Sequence, residues 1–117
     1  MTSSQDLTSL TVAELGDRIR SKQASPVEVA QAFVARADAL EPKLGVFVTR
    51  STEQALVAAK QAEAEIAAGD YKGPMHGIPV GVKDIYWTKG VRTTSGSKVY
   101  ANFVPNRDST AVARLRE

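Results

Sequence analysis

The chain has 117 residues, with 15 basic and 13 acidic side chains, no cysteine and a formal charge of +2. That length suits one domain of ordinary size, and the lack of cysteine excludes disulfides, thiolate metal sites and a thiol nucleophile together. The two charge signs are interleaved, which leaves no electrostatic footprint for nucleic acid, and no stretch approaches the roughly 20 apolar residues of a membrane span.

The polar start, Met1 to Asp6, lacks the basic and apolar regions of a secretory signal, so a soluble cytoplasmic protein is expected. Hydrophobic residues make up 43% of the chain, and alanine supplies much of that share, so large core side chains are scarce. Thr11 with Glu14 three residues on, followed by Val12, Leu15 and Ile19, predicts a capped amphipathic helix over about residues 12–22. Ser25-Pro26-Val27-Glu28 is a stronger start signal: serine caps free amides, proline suits the first helical position, and the glutamate reaches back to the cap. The stripe Val29, Ala30, Phe33, Val34, Ala37 and Leu40 carries this second helix to about Leu40, with Glu41-Pro42 closing it.

From Leu44 to Arg50 the apolar period changes to two, which predicts a buried strand. Ser51 then opens a third helix whose narrow apolar face, Ala55, Leu56, Ala59, Ala62 and Ile66, ends at Gly69-Asp70. Six of the eight glycines follow between positions 69 and 96, a density that marks loops and strands approached closely by other backbone or by ligand. Within this stretch Ile78, Val80 and Val82 alternate, so Ile78 to Asp84 is expected to be a strand. Asp108-Ser109-Thr110, followed by Ala111, Val112 and Leu115, predicts a last helix with its N-cap at Asp108 or Ser109 that stops after about two turns, as if interrupted.

Lys83 is the most informative residue, because it interrupts the apolar run Gly77-Ile78-Pro79-Val80-Gly81-Val82 where a strand is expected to enter the interior. Burial disfavours the charged ammonium and turns an inert cation into a base able to deprotonate a serine hydroxyl. The alternative is a lysine at the strand end that pairs with Asp84 at the surface. Thr93-Thr94-Ser95-Gly96-Ser97 reads either as a polar pocket or as an ordinary hydroxyl-rich turn. Neither Ser95 nor Ser97 has a base placed beside it by the sequence. His76, the single histidine, fits a solvated or structural role better than a catalytic dyad, and no ligand cluster has the spacing of a metal site. Tyr86 and Trp87 read as core or as pocket wall, and the basic residues around them as a solvated face.

The order of parts resembles the amidase-signature family: the Ser25-Pro26-Val27-Glu28 helix, Val46-Phe47-Val48, an alanine-rich helix, and then Gly73-Pro74-Met75-His76-Gly77-Ile78-Pro79-Val80-Gly81-Val82-Lys83-Asp84. The similarity runs on through Gly90, Thr93 to Ser97, Phe103-Val104-Pro105 and Asp108 to Leu115, and the Gly77 to Asp84 block is its specific part. The resemblance implies an α/β fold, the N-terminal part of the amidase-signature fold with helices packed on a partial mixed β-sheet. Residues 1–42 would form an N-terminal helical hairpin and 43–117 the start of the α/β core of one incomplete domain.

It further implies amide hydrolysis through a serine, a second serine with a cis peptide bond, and a lysine, which by position is Lys83. No metal or organic cofactor is expected, and the substrate-binding residues stay unassigned. The family's glycine- and serine-rich signature, with both serines and the oxyanion-hole amides, falls beyond Glu117, and neither Ser95 nor Ser97 matches those serines. The chain alone is therefore expected not to hydrolyse amides. Two other readings stay open: a stand-alone interaction module, and the amidase subunit of a tRNA-dependent amidotransferase. The expected partners are a small-molecule amide for the full-length enzyme and a second copy of the chain through exposed apolar faces, with no membrane and no direct nucleic acid.

Overall fold

The structure, a computed structural model, describes residues 7–117; the polar start read above for a secretory signal lies outside them. Helix α1, Val12–Arg20, begins at a full capping box. The Thr11 hydroxyl accepts the Glu14 amide at 3.2 Å, and the Glu14 carboxylate accepts the Thr11 amide at 2.7 Å. Helix α2, Pro26–Leu44, repeats the device, with Ser25 Oγ taking the Glu28 amide at 3.1 Å and Glu28 taking the Ser25 amide at 2.9 Å. Both starts were legible because a capping box is a local chemical unit.

The expected end of α2 at Glu41-Pro42 is corrected: the helix runs through Pro42 to Leu44. Pro42 has no amide to return to the carbonyl four residues back, a cost the helix bears within its last turn. What stops the helix is Gly45, whose left-handed φ of 56° lets its amide return to the Glu41 carbonyl at 2.9 Å. Helix α3 spans Thr52–Ala67. It closes as expected, the amides of Gly69 and Asp70 folding back to Ile66 and Glu65 at 3.1 and 2.9 Å.

The chain divides into two compact units. The first holds residues 7–46 with Thr52–Pro79. Its core is a small cluster of Leu7, Leu15, Ile19, Ala24, Val29 and Ala32, with Leu10, Phe33, Ile66 and Ile78 packed on it. Leu15, Ile19 and Val29 are the largest side chains buried essentially completely, at 2%, 1% and 0% exposure. Helices α2 and α3 pack together, with Ala59 and Ala62 of α3 buried. Gly16 of α1 lies against the main chain of Pro74, where an added Cβ would sit 2.4 Å from the carbonyl oxygen.

The second unit holds Phe47–Ser51 and Val80–Glu117. It contains a short 3-10 turn at Lys98–Tyr100 and helix α4, Thr110–Arg116, which is capped by the Ser109 hydroxyl. Its remaining order comes from loop backbone: Thr93 donates to Phe103 at 2.9 Å, Gly90 to Pro105 at 3.0 Å and Ser109 to Trp87 at 2.7 Å.

Neither strand expected at Leu44 to Arg50 or at Ile78 to Asp84 is present, and among the described residues the one ladder contact is an isolated bridge between Thr88 and Val91. A strand requires a neighbour to receive its amides and carbonyls, whereas alternation in sequence reports only which side chains would share a face. Val46, Val48, Val80 and Val82 are exposed, and residues 79–82 make no backbone hydrogen bond among the described residues. No helix of the described residues is long and apolar enough to cross a membrane.

Candidate active site

Lys83 is exposed, at the head of a tight turn in which its carbonyl accepts the amides of Ile85 and Tyr86 at 2.8 and 3.1 Å. The expectation of a lysine buried in an apolar strand is thus corrected for this chain. Val80, Val82 and Ile85, the apolar residues that flank it in sequence, are exposed as well. Lys83 does not pair with Asp84, and its amine has no ion-pair partner among the described residues.

Asp84 is engaged elsewhere. One carboxylate oxygen accepts the Thr94 amide at 2.8 Å, and the other accepts the Thr94 hydroxyl. The Asp84 carbonyl in turn accepts the Ser95 amide at 2.8 Å. The hydroxyl and then the amide of Thr94 hold the Asp84 carboxyl below its ordinary range, with the Arg92 charge adding to the effect. Thr93 and Thr94, each 4% exposed, are the buried polar residues of this unit. The run Thr93 to Ser97 therefore reads as a built turn. Ser95 and Gly96 both take left-handed φ, 53° and 69°, while the Thr94 hydroxyl accepts the Gly96 amide at 3.1 Å and the Thr94 carbonyl accepts the Ser97 amide at 2.9 Å.

Around this turn Arg92 reaches three acceptors. Its Nε donates to the Ala101 carbonyl, and a terminal nitrogen donates to the Val48 carbonyl at 3.3 Å and the Thr49 hydroxyl at 3.1 Å. Trp87 and Phe103 are tilted rings 5.2 Å apart, the Arg107 guanidinium lies 5.4 Å from the Trp87 ring centroid, and Trp87 stays 37% exposed. Tyr86 is exposed.

His76 belongs to the first unit and is not solvated: its side chain is 7% exposed, with Glu65 at 2.8 Å from Nε2 and the Lys72 amide donating to Nδ1 at 3.1 Å. Among the described residues no group of three or more histidine, cysteine, aspartate or glutamate side chains is arranged to hold a metal ion. The sequence offers Asp84 only as an alternative partner for Lys83 and Thr94 only as one hydroxyl of a pocket or turn, so the Asp84–Thr94 pair is not legible in it. Nothing local links residues ten positions apart.

A family model described as Amidase matches residues 28–117, the span that contains Lys83, Asp84 and the Thr93 to Ser97 turn. The chain belongs to the amidase-signature family. The glutamyl-tRNA(Gln) amidotransferase A-subunit of Geobacter metallireducens is 50% identical over 112 residues, which is 96% of this chain and 23% of that protein. A solved structure from a vestigial protein complex, described as revealing the evolutionary origins of an s-triazine catabolic enzyme, superposes with a TM-score of 0.86 at 27% identity over 92% of this chain and 24% of its own. Fatty acid amide hydrolase superposes with a TM-score of 0.85 at 25% identity over 98% of this chain and 21% of its own. The chain thus spans about a quarter of the length of the amidase-signature proteins it matches.

Proposed function

We propose that this chain supplies the general base of an amide hydrolase of the amidase-signature type, and that the base is Lys83. The reading rests on the position of Lys83 within the family-matched span, at the end of the Gly77 to Asp84 block, with its amine free. Val80, Val82 and Ile85 flank it and are open. A surface that covered these side chains would take the amine out of water with them, the condition under which lysine serves as a base.

In the reaction so proposed, the uncharged lysine accepts a proton relayed through a cis-serine from the nucleophilic serine. The serine oxygen attacks the amide carbonyl, ammonia leaves with a returned proton, and water cleaves the acyl-enzyme to release the acid. In this reading both serines lie in the part of the family's length that the chain does not span. The α/β sheet implied by the family would likewise be completed by such sequence, with residues 79–82 offering unpaired backbone to it. The 117-residue chain by itself is inert in this reading. The complete protein acts in the cytoplasm as a soluble enzyme, with a small-molecule amide as substrate.

A second reading is favoured by the 50% identical relative, whose name is that of one component of a glutamyl-tRNA(Gln) amidotransferase. Here the same chemistry releases ammonia from an amide donor and passes it to an acceptor bound by partner subunits. The exposed apolar residues of the second unit also suit a second copy of the chain when no other partner covers them.

The test is a mass measurement on the chain extended through the remaining length of the family, during turnover of small aliphatic and aromatic amides and of glutamine. A covalent adduct of the acyl group on a serine supports the reading, and release of ammonia with no adduct under rapid quenching would overturn it. Glutamine turnover that rises with added partner subunits selects the second reading.

A further inference from the structure

Lys83 is held from one side only. Upstream, residues 79–82 make no backbone hydrogen bond among the described residues. Downstream, Asp84 is tied by three hydrogen bonds to two consecutive residues: the Thr94 amide at 2.8 Å, the Thr94 hydroxyl, and the Ser95 amide at 2.8 Å on its own carbonyl. The segment that supplies these donors is itself fixed. Thr93 is bonded to Phe103 at 2.9 Å, Ser97 to Thr94 at 2.9 Å, and Thr93 and Thr94 are buried.

From this we infer that Asp84 is a positioning residue for the Lys83 amine, acting through the backbone and through Thr94 rather than by contact with substrate. The inference rests on Lys83 being the base. A lysine reaches its target through four freely rotating side-chain bonds, so the placement of its Cα sets where the amine can be held. Here that placement is delegated to the next residue. An ionised Asp84 accepts both Thr94 donors at once, whereas an asparagine at this site offers one acceptor and one donor group to the same pair. Were Asp84 only a structural anchor, its loss would lower the amount of folded enzyme; as a positioning residue it lowers the rate at each folded site.

The experiment uses the protein extended through the family's remaining length, and compares Lys83→Ala, Thr94→Val, Thr94→Ser and Asp84→Asn. Active sites are counted from the acyl-enzyme burst, so that kcat is expressed per site. Thr94→Val, which keeps the amide bond and the side-chain shape, is expected to lower kcat on the order of tenfold with KM within about twofold. Thr94→Ser, which restores the hydroxyl, returns most of that loss. Asp84→Asn loses on the order of ten- to a hundredfold in kcat. Should Asp84→Asn fail to fold, Thr94→Val against Thr94→Ser decides the matter. Wild-type kcat per site in Thr94→Val overturns the inference while Lys83→Ala remains inactive. Wild-type kcat in Lys83→Ala overturns the proposed base itself.

Discussion

Glu65 and His76 tie the end of α3 to the glycine-rich loop beyond it, the Glu65 carboxylate lying 2.8 Å from His76 Nε2. The Lys72 amide points at Nδ1 from 3.1 Å and requires that nitrogen's lone pair, which places the ring proton on Nε2 and directs it to Glu65. Gln61 donates to the other Glu65 oxygen at 3.0 Å, and the Lys72 amine stands 3.4 Å from the oxygen that faces His76.

This arrangement sets an acid limit on stability. Gln61 first and His76 next hold Glu65 below its ordinary 4.5, and Thr94 holds Asp84 below its ordinary 3.8. A carboxyl depressed in the folded state binds more protons when unfolded, so its contribution is complete above the ordinary value and disappears as pH falls through the lowered one. The melting temperature followed by circular dichroism is expected to fall as pH drops below about 4.5. Glu65→Gln is expected to flatten the upper part of that fall. A melting temperature unchanged through this window would contradict the assignment.

Two glycines separate packing from mere loop composition. At Gly77, φ is 85° and a Cβ would lie 2.6 Å from Pro26 Cγ. At Gly81, φ lies outside the left-handed region and nothing comes within 4 Å. Gly77→Ala is expected to cost about 2–4 kcal/mol, and Gly81→Ala no more than about 0.5 kcal/mol. Urea midpoints of the two variants measure the difference.

The small core of the first unit makes it sensitive to single truncations. Leu15, 2% exposed, sits in the buried cluster of that unit, and Leu15→Ala is expected to cost about 2–5 kcal/mol. Ser25→Ala removes one side of a reciprocal cap and is expected to cost about 0.5–2 kcal/mol. Chemical denaturation ranks the two, and the reverse order would mean that the cluster is not what holds α1 and α2.

Arg92 gathers the second unit, bridging Val48 and Thr49 to Ala101. Lysine carries the charge but not the planar fork. Arg92→Lys is expected to raise amide exchange at residues 47–51 on the order of tenfold. Unchanged exchange there would show that other bonds carry the segment.

What was legible in the sequence was the chemistry that completes itself within a few residues. The Thr11–Glu14 and Ser25–Glu28 boxes, the Gly69 stop and the Ser109 cap each need partners three to five positions away, and each is present. The strands failed for the opposite reason: the alternation of Val46 with Val48 and of Val80 with Val82 says nothing of a neighbouring strand, and among the described residues the one ladder contact is the Thr88–Val91 bridge. Lys83 stands out as a cation in an apolar run, yet the run does not report that Lys83 and its neighbours Val80, Val82 and Ile85 are all exposed. The Thr94 hydroxyl looked like any other in its turn until the fold set it against Asp84.

The central claim is that the Lys83 amine is the base for amide cleavage, and ammonia release by the extended protein tests it most directly. Lys83→Ala is expected to lower kcat on the order of 10⁴-fold or more, because members of such a catalytic unit fail together. Ammonia release at the wild-type rate from a folded Lys83→Ala protein would contradict it.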